Sequence, residues 1–159
     1  MAVSEVAYDV DGWGRGTIWF ADGVTVWHEL PAPRSDVSAG GKSAPESRAV
    51  IARLQSYFAG KRVGFDDVLI DLDWCTDFQR SVAETLRRIP YGEVVSYGEL
   101  ASLAGYPNAQ RAAGTFCAHN RLPLIIPCHR VVAADGIGKY GSQGVGFKRR
   151  LLALEGVDL

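Results

Sequence analysis

Residues 121–136 read RLPLIIPCHRVVAADG, and this stretch sets the frame for the rest of the chain. Leu124-Ile125-Ile126 and Val131-Val132 are buried-strand material, but Pro127-Cys128-His129-Arg130 interrupts them. Proline has no N–H to give to a ladder, so Pro127 marks a break. A cysteine just past that break, beside a histidine and an arginine, has what a thiolate needs: cationic neighbours and a proton acceptor. Neighbours on a regular strand point to opposite faces, so Cys128 and His129 cannot simply bond side to side. Either the backbone is irregular here or a water links the pair. Metal binding by Cys117, His119, Cys128 and His129 is disfavoured, because the spacings do not match the usual zinc pairs.

Upstream, Ser96 and Glu99 form an S-x-x-E capping box that opens a short helix, SYGELASLAG, ending at Gly105. A YPN turn follows, and Asn108 is placed to cap a second helix, AQRAAGTFCAHN. Two short helices around a Gly-containing turn fit a helix-turn-helix and equally an ordinary αα-hairpin. On the second helix Gln110, Arg111 and Thr115 stand among Ala109, Ala112, Ala113 and Gly114. That surface suits close approach to a nucleic-acid backbone with little reading of bases; core packing is the other account of the alanines. Before it, Thr76 and Gln79 cap a helix with Phe78, Val82 and Leu86 on one face, stopped by Pro90.

The first half reads differently. Val6, Tyr8 and Val10 alternate with polar or small residues, DGWG turns, RGTIWF is a second strand and ADG a tight turn. VTVWHEL follows as a third strand, with Val24, Val26, His28 and Leu30 on one face. Residues 31–42 form a loop, and Ser43 and Glu46 open a helix carrying Val50, Leu54 and Phe58, closed by Gly60. VGFDDVLIDLDW is expected to return as a strand. The expected class is α+β: a small N-terminal β-meander and helix, RNase H-like, over residues 1–75, and a mostly helical, winged-helix-like part over 76–159.

Composition bounds the function. The 159 residues are 47% hydrophobic with a formal net charge of −1, enough to bury roughly 70% of the unfolded surface. Residues 1–75 hold seven Lys/Arg against eleven Asp/Glu, and residues 76–159 ten against seven. An anionic partner would therefore meet the second half. No apolar run approaches the ~20 residues of a membrane span, and MAVSEVAYDV is no leader, so a soluble cytoplasmic protein is expected. Three cysteines, Cys75, Cys117 and Cys128, show no disulfide framework; Cys75 and Cys117 read as small hydrophobes.

Pro127-Cys128-His129-Arg130-Val131-Val132 resembles the PCHRV motif of the O6-alkylguanine-DNA alkyltransferases, the methylated-DNA–protein-cysteine methyltransferases. The stretches FQRSVAETLRRIPYGEVVSYGELA, Arg-Ala-Ala-Gly at 111–114, His119-Asn120 and KRRLLALEG resemble that family in the same order and at similar spacing. The resemblance covers roughly residues 76–156. It implies that Cys128 takes an alkyl group from O6 of guanine and keeps it as a thioether, so each molecule acts once. It implies that His129 is the base acting through a water, that Glu155 orients it, and that Asn120 braces the active-site turn. Tyr97 would crowd the 3′ phosphate and give a proton or hydrogen bond to the leaving guanine. Arg111 would enter the duplex in place of the flipped nucleotide, with Gln110, Ala112, Gly114, Thr115 and Arg130 also at the DNA. Tyr140, Gly141 and Ser142 would border the alkyl pocket.

The implied partner is double-stranded DNA carrying O6-alkylguanine, met in the minor groove by a monomer. No cofactor and no metal are implied, no membrane is involved, and the implied location is cytoplasmic, at the nucleoid in a prokaryote. The sequence departs from the family at Ala83, where tryptophan is usual, at RAAG for RAVG, at Arg121 after Asn120, and in the glycines of GIGKYGSQGVG. The competing readings are an alkyltransferase-like binder of alkylated DNA without transfer, a cysteine hydrolase, and a helix-turn-helix regulator. The presence of Cys128, the lack of an oxyanion-hole signal and the sparse reading helix disfavour them in turn.

Overall fold

A computed structural model describes residues 3–33, 45–140 and 143–159. The chain divides into two compact units, one of residues 1–71 with 121–123, the other of 72–120 with 124–159.

In the first unit β1 (Ser4–Val10), β2 (Gly14–Ala21) and β3 (Val24–Ala32) form an antiparallel meander in that order. Val6, Tyr8 and Val10 are buried from β1, as their alternation predicts. The ADG turn puts Asp22 and Gly23 both at positive φ, the geometry a two-residue hairpin turn requires. On β3 the expected face is only half right. Trp19 pairs with Trp27 but Phe20 with Thr25, so Val26 is an extra residue in the ladder. That bulge resets the alternation: Thr25, His28 and Leu30 are buried, whereas Val24 and Val26 are only partly covered.

Helix α1 (Pro45–Phe58) buries Val50, Leu54, Tyr57 and Phe58, and Trp13 meets Phe58 at 4.8 Å between ring centroids. Ser43, the expected cap of α1, lies outside the described residues. The expected strand over VGFDDVLIDLDW does not form. Only a parallel bridge between Thr25 and Ile70 is made, with Thr25 N–H donating to Leu69 and Asp71 N–H to Thr25, both at 2.9 Å. Aspartates at 66, 67, 71 and 73 leave too short an uninterrupted run for a ladder, and Phe65 and Val68 bury themselves on a turn instead.

The second unit is built on helices α2 (Asp77–Arg87), α3 (Tyr97–Leu103), α4 (Gln110–Ala118) and α5 (Val145–Leu154). Both expected capping boxes are present. Gln79 N–H donates to Thr76 Oγ1 at 3.2 Å and Thr76 N–H to Gln79 Oε1 at 2.9 Å; Ser96 and Glu99 repeat this at 3.1 and 2.9 Å. Val82, Leu86, Leu100, Ala113, Phe116, Leu151 and Leu152 supply the core. The expected cap of α4 is corrected: Asn108 sits in the left-handed region at φ 71°, and Ala109 takes the cap position with no side-chain bond. Asn tolerates that conformation better than most residues, so it serves the turn rather than the helix. Finally β4 (Val95–Ser96) and β5 (Val131–Val132) pair in parallel, Val95 with Val131 and Ser96 with Val132. This short ladder brings the start of α3 beside the Pro-Cys-His-Arg segment.

Candidate active site

Pro127 settles the question the sequence leaves open. Its φ of −79° and ψ of 64° are those of an inverse γ-turn, closed by Cys128 N–H donating to Ile126 at 2.7 Å. A single 3-10 turn over Cys128–Arg130 follows, with Arg130 N–H donating to Pro127 at 3.0 Å. The backbone is irregular, so Cys128 and His129 are freed from strand alternation and take separate tasks.

Cys128 is buried, 4% exposed, on the wall of a cavity of about 480 Å³. Asn120 Nδ2 donates to Ile126 O at 2.9 Å and to Cys128 Sγ at 3.2 Å, so one amide braces the turn and touches the sulfur. Burial pushes the Cys128 thiol up; bonds from Asn120 and Tyr140 and the charge of Lys148 pull it back. Burial wins, so the resting group is a thiol that needs a base to ionise.

His129 is fully buried, and its Nε2 lies 2.6 Å from Glu155 Oε2. A carboxylate accepts only, so Nε2 carries the proton and Nδ1 is the basic nitrogen of the neutral ring. Burial holds the imidazole towards its neutral form, against the pull of Glu155. Glu155, at the end of α5, accepts four bonds. Oε1 takes Gly92 N–H and Arg130 Nε, both at 2.9 Å; Oε2 takes His129 at 2.6 Å and an Arg130 terminal nitrogen at 3.1 Å. Burial disfavours its charge, but His129 and Arg130 overcome this and hold the carboxyl well below the usual carboxylate range. Gly92 is at φ 82°, and a Cβ there would stand 3.2 Å from Glu155 O; glycine allows the loop to reach the carboxylate.

Arg130 corrects an expectation. Placed at the DNA by resemblance, it is instead buried, chelates Glu155, donates to Ile89 O at 2.8 Å and stacks over Tyr91 at 5.8 Å. A guanidinium so engaged is the counter-charge of the relay and presents no face to a ligand.

The cavity gathers other expected residues. Tyr97, the first residue of α3, is half-buried on its wall, and burial pushes its phenol up to about 12. That ring lies close against α4: a Cβ at Gly114 would be 3.6 Å from Tyr97 Cδ1, in ordinary van der Waals contact. Arg111 and Thr115 line the cavity mouth from α4, Tyr140 lines it from the loop after β5, and Gln110 and Ala112 are exposed on α4. Gly141 and Ser142 lie outside the described residues. Two cavity neighbours carry no role in the sequence reading. Cys117, read as a small hydrophobe, lines the cavity; Lys148, fully buried on α5, donates to Val131 O at 2.5 Å and Lys139 O at 3.1 Å and lies 5.9 Å from the Tyr97 ring. The signal for Lys148 was a lysine on the apolar side of α5. Among the described residues no His, Cys, Asp and Glu group could hold a metal, and no helix is long and apolar enough to cross a membrane.

Comparison with known proteins places this arrangement. Residues 77–157 match the model of the 6-O-methylguanine DNA methyltransferase, DNA binding domain. A methylated-DNA–protein-cysteine methyltransferase of Methanopyrus kandleri is 48% identical over 103 residues, 65% of this chain and 76% of the relative. The crystal structure of an O6-methylguanine methyltransferase from Mycobacterium tuberculosis superposes with a TM-score of 0.80 at 35% identity, covering 97% of this chain and 93% of that one. The Mycobacterium tuberculosis OGT in complex with DNA gives 0.79 at 37% identity, covering 95% and 91%. With the matched family model spanning the Cys128 turn, the His129–Glu155 pair and the cavity between α3 and α4, the chain belongs to the 6-O-methylguanine DNA methyltransferase family.

Proposed function

We propose that this protein repairs DNA by moving an alkyl group from O6 of guanine to its own Cys128, once per molecule. The observation that carries the reading is the buried Cys128 on the cavity wall, held by Asn120, with His129 next in the same turn and bonded to Glu155 at the end of α5. His129 Nδ1, acting through a water, takes the thiol proton. Glu155 fixes the tautomer and offsets the imidazolium that results. Cys128 sulfur then attacks the alkyl carbon: the S–C bond forms, the C–O6 bond breaks, and the electron pair passes into the guanine ring. Tyr97 is protonated at neutral pH, as any phenol is, and burial reinforces this, so it can donate to the leaving base. Asn120 holds the turn throughout, and Tyr140 closes the alkyl side of the cavity.

A base inside a duplex cannot reach a buried sulfur, so the nucleotide is flipped out at a cost of a few kcal/mol. Arg111, exposed at the cavity mouth, fills the gap it leaves. The start of α4 has no capping side chain and no acidic residue in its first turn, so its N–H groups suit a phosphate. Gln110, Ala112, Gly114 and Thr115 give α4 a small, weakly discriminating face, which suits the information-poor minor groove and repair in any sequence context. The protein acts as a monomer in the cytoplasm, with residues 76–159 forming the DNA-binding and active-site part and with no cofactor taking part.

The test is intact-protein mass spectrometry after incubation with a duplex carrying one O6-methylguanine. The expected result is a gain of one methylene mass, mapped to Cys128, saturating at one per molecule, and absent in Cys128→Ala, which still binds DNA. Lesion bound without mass gain would overturn transfer in favour of a recognition-only binder.

A further inference from the structure

Two cysteines face one cavity, and alkyl transfer uses one. Cys128 reaches it from the 3-10 turn and Cys117 from the last turn of α4. Tyr97 and Tyr140 line the same cavity beside them, and the buried Lys148 ammonium favours the thiolate of each. We propose that Cys117 and Cys128 form a redox pair, in which a hydroperoxide entering the cavity oxidises Cys128 and Cys117 then closes a disulfide that reversibly withdraws the alkyl acceptor. This rests on the reading that Cys128 is the activated thiol.

In the first step Cys128 thiolate attacks one peroxide oxygen. The S–O bond forms, the O–O bond breaks, and the departing oxygen takes a proton as alcohol or water. Sulfur loses two electrons and the peroxide gains them, leaving a sulfenic acid. In the second step Cys117 thiolate attacks that sulfur; the S–S bond forms, the S–O bond breaks, and hydroxide leaves with a proton as water. Two thiols and one hydroperoxide thus give one disulfide, one alcohol or water, and one further water.

The surroundings order these steps. Burial pushes the Cys117 thiol well up, and charge on Cys128 pushes it further, so Cys117 stays protonated while Cys128 is the nucleophile. A sulfenic acid at Cys128 is neutral, so that second push disappears while Lys148 continues to favour the Cys117 thiolate. Ionisation of the resolving thiol is thereby eased after the first step and not before it, although burial still opposes it. Without it, the sulfenic acid is open to further oxidation to sulfinic acid, which reducing agents do not reverse.

The experiment treats the intact protein with a few equivalents of hydrogen peroxide, digests it with trypsin without reduction, and maps masses. Cleavage at Arg121 separates the two cysteines. The expected result is a loss of about 2 Da in the intact mass and a cross-link between the peptides carrying Cys117 and Cys128. Alkyl acceptance should fall with the cross-link and return on adding dithiothreitol. In Cys117→Ser, and in Cys117→Ala as a second variant, Cys128 should proceed to sulfinic acid and dithiothreitol should restore less than a tenth of that variant's own untreated level, an estimate of about ten-fold from the irreversibility of that step. Oxidised protein without the 117–128 cross-link, or variants that recover as fully as the parent, would overturn the pair. The cross-link is read from mass alone, so untreated protein that accepts no alkyl group refutes the proposed function and is told apart from failure of the pair.

Discussion

Glu155 is a single anion serving two buried cationic groups, Arg130 and, once protonated, His129. Replacing it with glutamine keeps the shape and removes the charge, leaving the Arg130 guanidinium buried without a counter-ion. The expected loss is about 3–5 kcal/mol of stability, read by thermal or denaturant unfolding, together with slower alkyl transfer. The acid side of the stability profile belongs to the same group. Its folded pKa is lowered, so its contribution is complete above the unfolded value of about 4.3 and is lost as pH falls through the lower folded value. Glu155→Gln should flatten that acid limb; an unchanged limb would show that other carboxylates govern it. At this scale the sequence was legible in part. Cys128 and His129 drew notice by their chemistry, Asn120, Tyr97 and Glu155 only by resemblance, and the structure brings Asn120 to the Cys128 sulfur and Glu155 to the His129 ring. Arg130 was misassigned because an arginine beside a cysteine reads the same whether its charge faces inward or out.

Capping boxes were the most legible feature at the scale of elements, because Thr76–Gln79 and Ser96–Glu99 each state a start in four residues. The Pro127 turn was legible only as a break: proline fixes φ, but the γ-turn depends on ψ, which the surrounding core decides. The bulge at Val26 and the missing strand after Gly64 were illegible for a related reason, since both depend on partners distant in the chain. Helix α4 offers a direct test of its proposed role. Arg111→Ala should weaken DNA binding regardless of sequence and, by withdrawing one cation from the duplex, reduce the slope of log affinity against log salt by about 1. Titration at several salt concentrations measures this, and a slope and affinity equal to the parent's would remove Arg111 from the interface.

For the whole molecule, the informative group is His28. It is fully buried in the first unit, where its Nε2 lies 2.6 Å from the Tyr8 hydroxyl and its Nδ1 2.7 Å from Pro123 O. The geometry fits one tautomer: Nδ1–H donates to the carbonyl and Nε2 accepts from Tyr8. Burial lowers the imidazole pKa from 6.5 to about 4. The unfolded chain therefore takes up a proton first as pH falls. Stability is complete above about 6.5 and declines towards pH 4, by on the order of 3 kcal/mol in all. Denaturant unfolding between these pH values should show that decline, and His28→Phe should show much less of it while being less stable at neutral pH. The sequence supplied the α+β class and the meander, but His28 read only as a residue packed on its strand, because its partner lies 95 positions away.

That partner has an evolutionary consequence. Residues 121–123 fall inside the family match at 77–157, yet they belong to the first unit, whose remainder lies outside that match. They are met there by donors to main-chain oxygens: His28 N–H to Arg121 O at 2.9 Å and the His28 ring to Pro123 O. Carbonyl oxygens are the same in every amino acid. The side chains at 121 and 123 can thus drift, while the first half must keep both a strand edge and a ring donor at position 28. A library randomised at 121 and 123 and selected for folding should return many spellings, and one randomised at position 28 few.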